Sequence, residues 1–480
     1  MTDLYDLIII GAGSGGLTAA SFANTLGAKV ALVEKRRVGG DCTWTGCVPS
    51  KALLKVAKVA HGVRAAAQYG IHASLPAIDM RAVRAYVQTA IASVYQWETP
   101  EALEREGIEV ASGEARFVNS HTIRVGERTL SGKSFLIAAG AHPILPELPG
   151  LKKTPYLTYE TIFDNDRLPD RMLIMGAGPI GVEMAQAYQR LGSQVTLVGD
   201  TLLPRDEPEA QTVLLRVLER EGVRFVQGRA ERVTYAAEEF TLYVGGDTYV
   251  GDFLLVSVGR APNIEGLDLD NAGVTFSPKG IPVNDRLQTN VRHIYACGDC
   301  IGGCQFTHFA GWQAFQAARN ALLVGSAKGF SQVVPWCTFT DPEVAHVGLT
   351  EEAARVKHDN AVRILHRDAL QNDRAVCENE RDGFIKIVHL PDGQIIGATI
   401  VSARAGEMIT EMALALQHRL KISDLSATIH AYPTYSSTIQ LLATEEAVHE
   451  AFAGFGGWLI KKLSGLSGPY IIPNQNQENS

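Results

Sequence analysis

Two cysteines five positions apart, Cys42 and Cys47, lie among glycines in the stretch Gly39-Gly40-Asp41-Cys42-Thr43-Trp44-Thr45-Gly46-Cys47-Val48-Pro49-Ser50-Lys51. Thiols so placed can form a redox couple, a static crosslink or two unlinked buried side chains. A regular helix would separate them by about 7.5 Å along its axis, whereas a disulfide wants Cα atoms about 4.4–6.8 Å apart. Bridging therefore demands irregular backbone, and Gly39, Gly40 and Gly46 permit it. Pro49 suits an early position in a helix that runs on past Lys51. A static crosslink fits poorly in a chain without a secretory signal.

The elements that must position these thiols follow a nucleotide-binding pattern. Residues 3–10 form a short apolar run that reads as a buried parallel strand. It enters Gly11-Ala12-Gly13-Ser14-Gly15-Gly16, then a helical stretch, then a strand ending at Glu34. Glu34 lies 34 − 16 = 18 residues past Gly16, near the spacing of an acid that receives a ribose hydroxyl. The glycines Gly11, Gly13 and Gly16 let backbone approach a pyrophosphate resting on the helix N-terminus. The pattern then recurs: a strand at 171–175, Gly176-Ala177-Gly178-Pro179-Ile180-Gly181, a helix and a strand at 195–198. Two such units, with Gly176, Gly178 and Gly181 in the second, imply two dinucleotides. At the equivalent spacing, 181 + 18 = 199, stands Gly199 rather than an acid; Asp200 is adjacent and Arg205 is the nearby cation along the chain. Asp200 would repel a 2′-phosphate, which favours NADH over NADPH.

Composition bounds the rest. A 480-residue chain suggests about three domains. Its hydrophobic (46%) and charged (20%) fractions are those of a globular enzyme. A net charge of −8 without a basic block argues against nucleic acid. No apolar run is long enough for a transmembrane segment. The N-terminus leads directly into a strand, so we expect no targeting peptide. Seven cysteines, odd in number and sparse, suit the cytoplasm.

The run Gly-Gly-x-Cys-x4-Cys-x-Pro-Ser-Lys resembles the redox-active disulfide of the FAD-containing pyridine nucleotide-disulfide oxidoreductases, which include dihydrolipoamide dehydrogenase, glutathione reductase and mercuric reductase. The resemblance implies an α/β fold with two Rossmann-like dinucleotide-binding domains plus an α+β interface (dimerisation) domain. Residues 1–150 and 284–334 would bind FAD, 151–283 NAD or NADP, and 335–450 would form the interface of a homodimer and complete the partner's active site, leaving 451–480 as an extension. It further implies that Cys42 is the interchange thiol, that Cys47 is the charge-transfer thiol, and that Lys51 lies beside the flavin, paired with Glu183. Taken singly, Lys51 reads as a solvated helix lysine and Glu183 as an acid in a first helical turn. Ala115 matches a backbone contact to adenine, Gly140 ends a family-like strand, and Gly259 falls in the family's closing stretch of the second domain. Asp299, after Cys297-Gly298, matches the residue that holds the ribityl chain, and Ala310 a flavin-side backbone contact. Cys297, Cys300, Cys304 and His308 have a spacing that superficially suggests zinc; we read them as bystanders of the Gly298-Asp299 motif.

The family pattern breaks at His430-Ala431-Tyr432-Pro433-Thr434-Tyr435-Ser436-Ser437. Dihydrolipoamide dehydrogenases and glutathione reductases carry an acid-base histidine where Tyr432 stands and a glutamate where Ser437 stands. A free tyrosine has a pKa of about 10 against about 6.5 for histidine, so Tyr432 is a poor base. His430 would share its face but sit roughly 6–7 Å back along an extended segment. Mercuric reductases also carry tyrosine at this position, but their C-terminal cysteine pair has no match after Cys377. Three acceptor readings follow: a mercuric reductase-like enzyme acting on a small metal, thiol or oxidant acceptor; a dihydrolipoamide dehydrogenase, with a lipoyl partner, working without the usual pair; or a redox-responsive flavoprotein that binds a partner. The apolar segment 451–463, with lysines, could touch a membrane surface or a partner. Its three glycines weaken a helix, favouring docking on the parent dimer, and the last eight residues read as disordered.

Overall fold

The computed structural model describes residues 4–74, 77–359, 361–452 and 455–466. The chain divides into two compact units, one built from residues up to Leu203 together with Leu218–Ser331, the other from Pro204–Val217 together with Gln332 onward.

The first unit holds two main sheets, a larger mixed one and a smaller, wholly parallel one. In the larger, Leu4–Ile10 runs between Val30–Glu34 and Arg128–Ile137, in the registers Ile8↔Ala31 and Ile8↔Phe135. Glu109–Ser112 extends one side, and Ile294–Ala296 returns late in the chain to pair with Arg128–Ile137. The period-2 alternation of a strand sorts its side chains onto two cores. Leu7 and Ile9 pack with Ala19, Ala20 and Ala23 of the helix Ser14–Thr25, whereas Ile8 and Ile10 pack with Phe117, Ile123 and Phe135. Small residues on that helix let it lie close to the helix Thr307–Leu322, which supplies Ala314, Ala317 and Ala318 to the same core.

The second sheet orders Arg224–Gln227, Gln194–Gly199, Arg171–Met175 and Phe253–Val256, all parallel, beside a three-stranded antiparallel meander. The Pro-rich stretch after Gly140, read from sequence as a linker, is in part a strand: Ala141–Pro143 pairs antiparallel with Arg260–Pro262. Its partner lies more than a hundred residues away, so local composition carried no trace of the pairing.

The second unit is an antiparallel sheet ordered Trp336–Thr338, Glu343–Gly348, Ile395–Ser402, Phe384–His389 and Arg363–Asp368. The helices Ala405–Gln417 and Ser437–Phe452 contribute Met408, Met412, Ile439 and Leu442 to its core. The buried Lys386 Nζ is met at 2.9 Å by both Glu209 and Glu351, as a buried charge requires. The C-terminal segment corrects one expectation. Phe455–Leu463 is helical despite Gly456 and Gly457, because Gly457 packs where a Cβ would come 2.4 Å from the Phe452 Cα. Trp458, Ile460 and Leu463 of this helix are exposed. Residues 467–480, including the eight expected to be disordered, lie outside the described residues. Among the described residues no helix is long and apolar enough to cross a membrane.

Both Gly-rich turns use their outer glycines for packing. A Cβ on Gly16 would lie 1.8 Å from the Gly11 carbonyl oxygen, and one on Gly181 would lie 1.8 Å from that of Gly176. A Cβ on Gly178 would meet nothing within 4 Å. We therefore expect Gly181→Ala to lose about 1–3 kcal/mol or more through overpacking, with Gly178→Ala within about 0.5 kcal/mol of the parent. Chemical denaturation of the two variants checks this, and equal stabilities would contradict the packing argument.

Candidate active site

The backbone breaks between the two cysteines as their chemistry demands. Gly39 (φ +103°) and Gly40 (φ +58°) turn the chain into a single-turn helix, Gly40–Trp44. That helix stops at Thr45, and a new one, Cys47–Ala65, starts with its direction reset by Gly46 (φ −124°, ψ −110°). A Cβ on Gly46 would come 2.8 Å from the Asp41 carbonyl oxygen. The loop is clamped from several sides. Trp44 Nε1 donates to the Val38 carbonyl at 2.7 Å, the Thr43 hydroxyl to Glu98 at 2.8 Å, and Gly40 lies so close to Gly13 that a Cβ would meet its Cα at 2.7 Å.

Both cysteines are free thiols, and they hydrogen-bond to each other. The Cys42 S–H donates to the Cys47 sulfur; this bond, then burial, raises the Cys42 pKa. The same bond lowers that of Cys47 to about 6 against the opposing effect of burial, helped by the Thr307 hydroxyl 3.3 Å from its sulfur and by the charge of Lys51. Cys47 is thus the first to ionise while Cys42 keeps its proton. Lys51, one turn along the helix from Cys47, reaches both carboxylate oxygens of the buried Glu183 at 2.9 and 3.2 Å. Glu183 stands on the helix Pro179–Leu191, which follows the second Gly-rich turn, so this contact links the thiol helix to the second dinucleotide fold.

A cavity of about 520 Å³ opens beside Cys42 and is lined by Gly13, Glu34, Gly140, Asp299 and Ala310 among others. Glu34 is already engaged: one carboxylate oxygen accepts the Ala12 N–H at 2.8 Å and the other the Arg36 N–H at 2.7 Å. It therefore holds the Gly-rich turn in place as well as facing the cavity. Asp299 pairs with Arg260 at 3.1 Å, and burial raises its pKa. Arg260 also binds Asp41 of the cysteine loop, and its buried Nε has no partner among the described residues. A Cβ on Gly13 would meet nothing nearer than 3.8 Å, in contrast to Gly16. Open space over the middle glycine and an orphaned buried donor are what a bound dinucleotide would complete. Ala310 lines the cavity, and its N–H donates to the Phe306 carbonyl at 2.9 Å in the first turn of its helix. Ala115 begins the strand Ala115–Asn119 and is buried.

Other expected residues fall elsewhere. Asp200 immediately follows the strand Gln194–Gly199, and Arg205, near it in sequence, is part of the second unit. The cation brought to Asp200 is Arg229, whose Nε lies 2.6 Å from the carboxylate. Gly259 (φ +136°) precedes Arg260 in the turn after Phe253–Val256. Tyr432 lies in the second unit, exposed, its hydroxyl donating to Asp373 at 2.7 Å; that bond raises its pKa. Ser437 donates to the Thr434 carbonyl at the start of its helix. His430 is held between the Thr428 carbonyl and Glu411, at 3.1 and 2.8 Å. Cys297 and Cys300 are buried thiols, and Cys300 donates to the Ile137 and Cys297 carbonyls. Sequence reasoning missed Thr307 beside Cys47 and Arg260 between the two aspartates. Only Arg260 had a visible signal, its place in Gly259-Arg260-Ala261-Pro262-Asn263.

Comparison with known proteins agrees with this geometry. Residues 5–314 match the family described as pyridine nucleotide-disulphide oxidoreductase, and residues 334–443 match its dimerisation domain. The chain is 35% identical to the mercuric reductase of Staphylococcus aureus, over 92% of its own length and 82% of that protein. It is 36% identical to the dihydrolipoyl dehydrogenase of Thermus scotoductus, over 93% and 98%. Among solved structures it resembles the HOCl-induced flavoprotein disulfide reductase RclA from Escherichia coli, with a TM-score of 0.83 at 26% identity over 92% and 99% of the two chains. It resembles the Cu(II) complex of that protein to a similar degree, with a TM-score of 0.82 at 26% identity over 90% and 98%.

The thiol pair makes a direct prediction. In the reduced protein, ultraviolet thiolate absorbance should titrate with a midpoint of about 6, well below the roughly 8.5 of free cysteine, and the thiolate should be lost as pH falls through that midpoint. Cys42→Ala, which removes the donor, should raise the midpoint strongly and Thr307→Val by less. A parent midpoint at the free-cysteine value would refute the assignment.

Proposed function

Because the chain belongs to the pyridine nucleotide-disulphide oxidoreductase family, whose members depend on FAD and use NAD(P)H, we propose that its Cys42/Cys47 pair passes electrons from the reduced nicotinamide to a thiophilic metal ion, in the manner of the mercuric reductases it resembles. The observation that carries this reading is Tyr432. At the position where disulfide-exchanging relatives carry an acid-base histidine, its hydroxyl is spent on Asp373, and that bond holds its proton on.

FAD would be held by Gly11, Gly13 and Gly16 at the pyrophosphate and Glu34 at the ribose. Ala115, Gly140, Asp299 and Ala310 would lie along the rest of the molecule, with Lys51 beside the ring. Gly176, Gly178, Gly181, Asp200 and Gly259 would take the nicotinamide dinucleotide. Bound FAD supplies the two-electron relay between nicotinamide and disulfide. The chain's own residues do the remainder. Lys51, fixed by Glu183, places a positive charge near the Cys47 thiolate, and Thr307 donates to that sulfur. Cys42, kept protonated by Cys47, is the thiol available to the acceptor.

The acceptor chemistry explains why a base at position 432 is dispensable. Reduction of a disulfide leaves a thiolate that must be protonated, so an acid-base group gains about 10²–10⁴-fold. A divalent soft cation such as Hg(II) binds both sulfurs, the dithiol gives up two electrons and two protons as the S–S bond forms, and the metal leaves as Hg(0). No proton has to be delivered to a leaving sulfur. A dihydrolipoamide dehydrogenase role is the second reading, favoured by the 98% coverage of the Thermus scotoductus enzyme.

The test compares Hg(II)-dependent NAD(P)H oxidation, in excess external thiol, with dihydrolipoamide-dependent NAD+ reduction by the FAD-loaded protein. We expect metal-dependent turnover that Cys42→Ser and Cys47→Ser abolish, and a dihydrolipoamide rate lower by about 10²-fold or more. Rapid dihydrolipoamide turnover would overturn the proposal in favour of the second reading.

A further inference from the structure

The two Gly-rich turns diverge at one place, and the divergence bears on which nicotinamide dinucleotide the protein takes. In the first fold the strand Val30–Glu34 ends in an acid that turns back onto the Ala12 N–H. The second fold has no room for that arrangement. A Cβ on Gly199 would come 2.7 Å from the Ala177 Cβ and 3.0 Å from the Ala177 nitrogen. The acid is displaced by one residue to Asp200, 200 − 181 = 19 positions past Gly181. Its carboxylate meets the Arg229 Nε at 2.6 Å.

Arg229 follows the adjacent strand, Arg224–Gln227, and two bonds bind this corner together. The Gly228 N–H donates to the Gly199 carbonyl at 3.1 Å, and the Gln227 amide donates to the Asp200 carbonyl at 3.2 Å. The side chains of Arg229 and Asp200 are 86% and 50% exposed. An exposed pair of this kind contributes little to stability, so a ligand can take over one member at small cost. The contact to Asp200 uses only Nε of a guanidinium that carries five N–H donors. A bare acid at this rim would accept ribose hydroxyls and repel a 2′-phosphate. Here its charge is balanced by a cation suited to bidentate phosphate binding.

We propose that the Asp200/Arg229 pair is a selectivity element through which Arg229 receives the 2′-phosphate, so that the enzyme accepts NADPH as well as NADH. The inference rests on the family's use of NAD(P)H and not on the identity of the acceptor.

The test is flavin reduction by NADPH and by NADH in rapid mixing, with no acceptor present, so that failure here leaves the metal-ion reading standing. In Arg229→Ala the NADPH/NADH ratio of the flavin-reduction rate constant divided by Kd should fall at least about tenfold, the size of one lost charge-assisted hydrogen bond, with the change carried by the Kd for NADPH. Asp200→Asn should move the ratio the other way. A ratio within twofold of the parent in Arg229→Ala, an equal loss with both dinucleotides, or a parent protein that does not react with NADPH would each overturn the proposal.

Discussion

Everything around the thiols depends on an interrupted helix. Two sulfurs that must hydrogen-bond as a dithiol and bond as a disulfide require the chain to double back between them, and an unbroken helix would hold them apart. Gly46 resets the direction, and the left-handed Gly39 and Gly40 bring the loop in from the dinucleotide turn. An irregular segment of this kind is stable only when its neighbours determine it. Here Gly13, Val38 and Glu98 do so from three sides. The close approach of Gly40 to Gly13 means that the turn suited to a pyrophosphate and the loop carrying Cys42 share one packing contact, so neither can shift without the other.

Two ionic contacts extend that constraint. Arg260 joins Asp41, next to Cys42, to Asp299 on the late-returning segment. Lys51 joins the thiol helix to Glu183 on the helix of the second fold. Partly buried charges are costly when unpaired, so each contact resists separation of the segments it links. Both also set the electrostatics of the sulfurs. The Lys51 cation favours the Cys47 thiolate, while Glu183 opposes it and moderates the effect. The larger share comes from Cys42 itself, because a thiol that donates to its neighbour keeps its own proton and lowers the neighbour's pKa.

What the sequence disclosed and what it concealed divide along local and non-local lines. The strand, Gly-rich turn and helix order at Gly11 and again at Gly176 was legible because spacing and period are local properties. The break between the cysteines was legible for the same reason, since Gly46 is a backbone signal. Thr307 beside Cys47, 260 positions away, and Arg229 beside Asp200 were not, because nothing near either residue marks its partner. The antiparallel pairing of Ala141–Pro143 was hidden in the same way. The tail was misjudged for a different reason. Glycine is a poor helix former on average, but Gly457 meets the preceding helix where no side chain would fit, and packing overrode propensity.

Position 432 shows how a lost side chain changes the chemistry a conserved-looking frame can support. The second unit does contain a histidine paired with a glutamate, His430 with Glu411, two residues before Tyr432. Both of its ring nitrogens face acceptors, the Thr428 carbonyl and the Glu411 carboxylate, so neither nitrogen is presented to a substrate. Tyr432, which is exposed, donates its proton to a carboxylate that favours keeping it. The Tyr432 hydroxyl is therefore not arranged to give up a proton near neutrality. The proton and electron traffic then falls to the sulfurs, where Cys47 is ionised early and Cys42 late. On the metal-ion reading proposed above, such a pair would pass electrons through sulfur and release its protons to water.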